Sequence, residues 1–177
     1  MQICTMDYND ISKDGNIVKL RCPGAGTFDV LSGIGRYINK PDCSDIEKAA
    51  IPPGTYWIVD RPKGTFANQV RSEVIDIANL YRSRHTEWFG LYSSQTMSDH
   101  LYVNGVRRGS FRLHPLNSDG PENPGDVLRF IEMQIFRFSG MRYCEQKKVG
   151  VPGGRGLMAY GFVEVKGIPN FSKCDVR

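Results

Sequence analysis

The sequence predicts a mainly β domain with one clear helix. Short β-branched and aromatic runs recur along the chain, each framed by Gly, Pro or Asn turn formers. Asn104-Gly105 stands between Val103 and Val106, a strong signal for a two-residue hairpin because both residues tolerate positive φ. Only one stretch, Phe66 to Arg82, carries a helical period.

Taken in order, Ile17-Val18-Lys19-Leu20 alternates apolar and polar and runs into the turn Cys22-Pro23-Gly24-Ala25-Gly26. Thr55-Tyr56-Trp57-Ile58-Val59 has strand composition, with Pro52-Pro53-Gly54 before it and Pro62 after it. In the helical stretch, Val70, Val74, Ile77, Ala78 and Tyr81 recur at three- and four-residue spacing and form one apolar face. Glu87 to Tyr92, His100 to Val103, Ser110 to His114 and Leu157 to Val165 are further strand candidates. No repeat, linker or low-complexity tract divides the chain, so residues 1–177 read as one domain.

The segment from Asp119 to Lys148 breaks this regularity. Asp119 to Asp126 is all turn formers, and Val127 to Phe138 fits neither period, with Arg129, Glu132 and Arg137 interrupting an apolar run. Such conflict marks a functional site or a sequence not selected for its fold.

The net charge is +4 with Lys and Arg scattered, and the cluster Lys147-Lys148 near Arg142 is too short to track a phosphate backbone. Nucleic acid is therefore not an expected partner, whereas an anionic polymer would suit the mild positive charge. Met1 to Asp10 has no apolar core of a signal peptide, and no run is long enough to span a membrane. The expectation is synthesis in the cytoplasm and export without a cleaved signal. Five cysteines (Cys4, Cys22, Cys43, Cys144, Cys174) without CxxC spacing argue against a zinc site. Cys22 and Cys43 flank a compact Gly-rich stretch and either pair in an oxidising compartment or remain buried thiols.

Four stretches then stand in a recognisable order. Ser32-Gly33-Ile34-Gly35-Arg36-Tyr37-Ile38-Asn39-Lys40-Pro41-Asp42-Cys43 is followed by Ile51 to Pro62, by Trp88-Phe89-Gly90-Leu91-Tyr92, and by Val103 to Pro115 with its Phe111-Arg112-Leu113-His114-Pro115 close. Val151-Pro152-Gly153 and Ala159-Tyr160-Gly161 follow near the C-terminus. Together these resemble the L,D-transpeptidase effectors delivered by type VI secretion systems, over most of the chain apart from 119–148. The resemblance implies an L,D-transpeptidase-like β-sandwich domain with one or two helices. It also implies a cleft at His114, no metal or organic cofactor, and peptidoglycan stem peptides as substrate in the periplasm of a target cell. An immunity protein and the secretion apparatus are the implied protein partners.

In that family the Phe-Arg-Leu-His-Pro strand precedes a Ser-x-Gly-Cys-Ile-Thr turn, whose thiolate attacks a stem-peptide carbonyl and forms a thioester. The histidine serves as base, because a free thiol is mostly protonated at neutral pH. By motif position His114 is that histidine. Arg112, one pleat away on the same strand face, suits a substrate carboxylate. His85 and His100 match nothing in the family and read as surface residues. The nucleophile itself is missing, since the chain reads Glu122-Asn123-Pro124-Gly125 where the turn belongs, and Cys144 stands in the wrong context. As written, the site is expected to be inactive.

Codon arithmetic offers a reason. If each new codon takes the last base of one residue and the first two of the next, Asn123 into Pro124 permits Ser and Gly125 into Asp126 permits Gly. Asp126 into Val127 permits only Cys or Arg, Val127 into Leu128 permits Ile, and Leu128 into Arg129 permits Thr. Further on, Met133 into Gln134 forces Ala and Tyr143 into Cys144 forces Leu. Gln146-Lys147-Lys148 can be encoded by nearly unbroken adenines, a natural place for the frame to return. The hypothesis is that residues from about 119 to 148 are a frame-shifted translation; the alternative is a diverged loop in an inactive homologue. A non-catalytic module that grips peptidoglycan or a partner protein is the competing functional reading.

Overall fold

The computed structural model describes residues 1–60, 89–115, 128–130 and 147–175, with backbone alone at His114, Pro115 and 128–130. Alternation along the strands decides the architecture. In β1 (Gln2–Ile11) the even residues Gln2, Cys4, Met6 and Tyr8 are buried, and in β2 (Val18–Cys22) Val18, Leu20 and Cys22 are. β3 (Gly26–Leu31) buries Phe28 and Val30, while β4 (Gly54–Asp60) buries Tyr56 and Ile58. The same face continues through Phe89 and Leu91 of β5 (Phe89–Ser93), Leu113 of β8 (Arg112–Pro115) and Val163 and Val165 of β12 (Gly161–Lys166). These side chains form one apolar core, and burying them together requires the strands to wrap around it.

The chain is mainly β, as the sequence predicts. Its main sheet is a curled mixed sheet in the order β1-β12-β4-β5-β8-β9-β3-β2 that closes on itself, with β9 spanning Leu128–Phe130. A sandwich and a closed curl share the same inward and outward alternation, and differ in whether the corner strands stay paired. Here they do: β1 runs parallel to β12 and antiparallel to β2. The helices among the described residues are short 3-10 turns at Gly35–Tyr37, Pro41–Cys43 and Phe171–Lys173. The helix expected over 66–82 lies outside the described residues.

Several boundaries move. The strand expected over Leu157 to Val165 is split into β11 (Met158–Ala159), which pairs with β10 (Val149–Gly150), and β12. The Asn104-Gly105 hairpin forms as expected between β6 (His100–Val103) and β7 (Val106–Gly109), with φ of 49° and 77° at its two turn residues. His100, expected at the surface, is partly buried, and its Nδ1 stands 3.0 Å from the Ser98 hydroxyl. His85 lies outside the described residues. Within the irregular 119–148 segment, β9 is a strand inserted between β8 and β3.

The chain between β3 and β4 closes one end of the curl. Ala50 and Ile51 are fully buried there, and Tyr8 donates its hydroxyl to the Ile51 carbonyl at 2.8 Å. Ser32 accepts the Ile51 N–H on its Oγ at 2.8 Å and donates its own N–H to Asn39 Oδ1 at 2.9 Å. Between them Gly33 adopts φ of +89°, and a Cβ there would stand 2.6 Å from the Tyr37 carbonyl oxygen. The Ser32-Gly33 and Asn39 positions are thus the framework of this end plug.

Cys22 and Cys43 do not pair with each other. The disulfides are Cys4–Cys22 and Cys43–Cys174. Antiparallel pairing sets Thr5 opposite Arg21, which brings Cys4 to Cys22 across β1 and β2. The turn at Pro41–Cys43 packs against the one at Phe171–Lys173, where Asn170 N–H donates to Asp42 Oδ1 at 2.6 Å. Proximity in space, and not in sequence, chose the partners.

Candidate functional site

Sheet pairing builds the site around β8. Its Arg112 lies opposite Gly90 and its Leu113 opposite Phe89, both on β5, and Phe89 in turn lies opposite Asp60 at the end of β4. On the other side β8 runs parallel to β9, with Leu113 opposite Leu128 and His114 opposite Arg129. Asp60, Phe89, Leu113 and Leu128 therefore form one cross-strand row at the end of β4. His114 stands one step beyond that row.

Both residues expected at the site are thus on one strand, two positions apart. Arg112 is half-buried and donates through Nη1 to the Phe111 carbonyl at 2.7 Å. Its charge reaches Tyr92: burial pushes that phenol's pKa up, the Asp99 charge adds to the rise, and Arg112 opposes both. The strand needs Leu113 inward, at 3% exposure, so Arg112 must take the opposite face.

The same end carries a cluster absent from the sequence-based expectations. Asp60 accepts the Tyr160 hydroxyl at 2.8 Å on Oδ1 and is ion-paired through Oδ2 with Lys148. The Lys148 ammonium also sits 5.1 Å above the Tyr160 ring, which packs edge-on against Phe89 with centroids 5.5 Å apart. The Asp60 carboxylate holds the Lys148 ammonium pKa above its usual range. Burial, followed by the bond to Asp60, raises the Tyr160 phenol. Asp60 and Tyr160 both fall inside stretches that carried the family resemblance. A carboxylate closing the otherwise apolar run Tyr56 to Val59 was the signal that could have found Asp60.

The disulfides bear directly on the missing nucleophile. All four cysteines among the described residues are bonded in pairs, so none can furnish a thiolate beside β8. Cys144 lies outside the described residues. No group of three or more His, Cys, Asp or Glu among the described residues could hold a metal ion. Nor is any helix among them long and apolar enough to cross a membrane.

The family model described as the Tlde1 domain matches residues 26–126, more than half of the chain, and the chain belongs to that family of type VI secretion effectors directed at peptidoglycan. The match begins with β3 and stops two residues ahead of β9. No curated protein matches the chain.

Proposed function

We propose that this domain is built for L,D-transpeptidase or L,D-carboxypeptidase chemistry on peptidoglycan stem peptides in the periplasm of a target cell. In this reading His114 is the general base, Arg112 receives the substrate carboxylate, and the chain as written is inactive because its nucleophile is encoded in the alternate frame of residues 119–148. In the intact enzyme, His114 takes the thiol proton, the sulfur adds to the stem carbonyl, and the departing amine carries the proton away. Water or a second amine then resolves the thioester.

The parallel register of β8 and β9 is the main support. β9 begins at Leu128, opposite Leu113 and one residue short of the partner of His114. The alternate frame permits Gly-Cys-Ile-Thr over Gly125 to Arg129, so its cysteine would come just before β9, the strand that pairs with the histidine strand. The other described cysteines are already spent in disulfides.

The deciding experiment is resequencing of the coding DNA across codons 115 to 150. One base gained or lost near codon 119, with a compensating change in the adenine run, is the expected result. The restored protein should then cleave or exchange tetrapeptide stems, and His114→Ala should abolish that activity. DNA that encodes the chain as it stands overturns the frame argument. In that case retention on purified sacculi, unaffected by His114→Ala, would establish a peptidoglycan-binding module.

A further inference from the structure

One disulfide joins two strands of the curl, and the other ties the C-terminal turn to the segment between β3 and β4. Cys4–Cys22 joins β1 to β2 inside the main core, with Cys4 and Cys22 at 1% and 3% exposure. By register Cys4 lies opposite Val163 of β12, which in turn lies opposite Tyr56 of β4. Cys43–Cys174 joins residues 131 apart in sequence and, with Ala49, centres a second small core against which Tyr37 and Ile46 pack. That core secures the plug between β3 and β4. Besides the disulfide, the C-terminal turn is held by the Lys40–Asp175 ion pair at 2.8 Å and by the Asn170 to Asp42 hydrogen bond, both exposed. Exposed polar contacts of that kind contribute little, so the cross-link holds this end of the chain in place.

Both cross-links need an oxidising surrounding, since thiols stay reduced in the cytosol and disulfides persist in the periplasm. We propose that the two disulfides make this fold conditional on compartment: the chain is reduced and loosely folded where it is made, and locks only after delivery. Each closure breaks two S–H bonds, forms one S–S bond, releases two protons and passes two electrons to a disulfide-bearing oxidant of the receiving compartment. That oxidant's own disulfide becomes two thiols. The cell that makes the effector is thereby spared a locked catalytic domain. This rests on delivery to a target-cell periplasm, but its test involves no substrate, so each can fail without the other.

The full chain would be recovered from a reducing cytosol with thiols alkylated at lysis, and a second sample oxidised in glutathione-disulfide buffer. The cytosolic protein is expected to carry alkyl groups at Cys4, Cys22, Cys43 and Cys174. The oxidised protein is expected to yield the linked peptides Cys4–Cys22 and Cys43–Cys174. Adding dithiothreitol to the oxidised protein should lower its thermal midpoint by at least about 10 °C, given the closed loops of 18 and 131 residues. Disulfides already closed in the cytosol, other linkages after oxidation, or a smaller shift would each overturn the proposal.

Discussion

Arg108 donates through Nη2 to the Ala49 carbonyl at 3.0 Å, and through Nη1 to the Ser44 carbonyl, from a position only 1% exposed. The β6–β7 hairpin is thereby bolted to the plug that closes the curl. Burial lowers the guanidinium's pKa, while the Tyr56 and Tyr8 phenols and the Asp45 and Glu47 carboxylates pull it back up. A fork of fixed donors satisfies two carbonyls that a lysine could not span equally well.

Arg108→Ala should therefore cost about 3–5 kcal/mol, because it opens a cavity and strands two buried acceptors. Its neighbour Arg107 is exposed and sits opposite Tyr102, so Arg107→Ala should change stability by less than about 0.5 kcal/mol. Urea unfolding of the two variants measures the contrast; equal losses would mean that Arg108 is not the bolt described.

Closure of the sheet makes a second demand. β1 and β12 run parallel with Gln2 opposite Gly161, and a Cβ on Gly161 would lie 1.8 Å from the Gln2 carbonyl oxygen. Backbone cannot yield as a flexible side chain can, so Gly161→Ala should cost about 3 kcal/mol or prevent folding. Gly150 in β10 has nothing within 4 Å of such a Cβ, and Gly150→Ala should be tolerated. Comparable thermal midpoints for the two variants would contradict the close approach.

The fold was legible where strands obey the usual composition. Thr55 to Val59 and the Asn104-Gly105 turn could be read directly, because β-branched residues and positive-φ turn formers carry their own local signal. β1 was harder, since its buried face is Gln2, Cys4, Met6 and Tyr8 while Ile3 is 45% exposed. There the closed sheet, not the strand's own pattern, chooses which face is inward. Arg108 looked like any surface arginine beside Arg107, because only tertiary structure supplies the carbonyls of Ser44 and Ala49. The disulfide partners were equally hidden, as sequence spacing says nothing of which turns meet. His114 and Arg112 were found through a motif, and their strand pairing could not have been read without the sheet.

High pH should weaken the core. Tyr8 and Tyr56 are buried and donate to the Ile51 and Pro52 carbonyls at 2.8 and 2.6 Å, and burial raises both phenols well above their ordinary value of 10.0. A raised folded pKa leaves stability intact below the unfolded value and removes it as pH climbs toward the folded one. Urea midpoints should stay level from about pH 7 to 9 and fall beyond about pH 10. Tyr8→Phe should lower the starting stability by about 1 kcal/mol yet flatten the alkaline slope. An unchanged slope would leave the fall to other groups, and Cys144 should be blocked throughout to prevent disulfide exchange.

Arg112 offers the sharpest test of substrate recognition. It shares a strand with His114 at a spacing of two and lies opposite Gly90 of β5. A carboxylate on the stem would gain a charge-assisted bond worth about 1.5–3 kcal/mol. In the frame-restored protein, Arg112→Gln should raise KM for a free-acid tetrapeptide stem by about 10- to 100-fold with kcat little changed. An amidated stem, having no carboxylate to lose, should show the same KM with either residue. If kcat fell instead and both stems suffered alike, Arg112 would be acting through its bond to the Phe111 carbonyl, holding the strand and not the substrate.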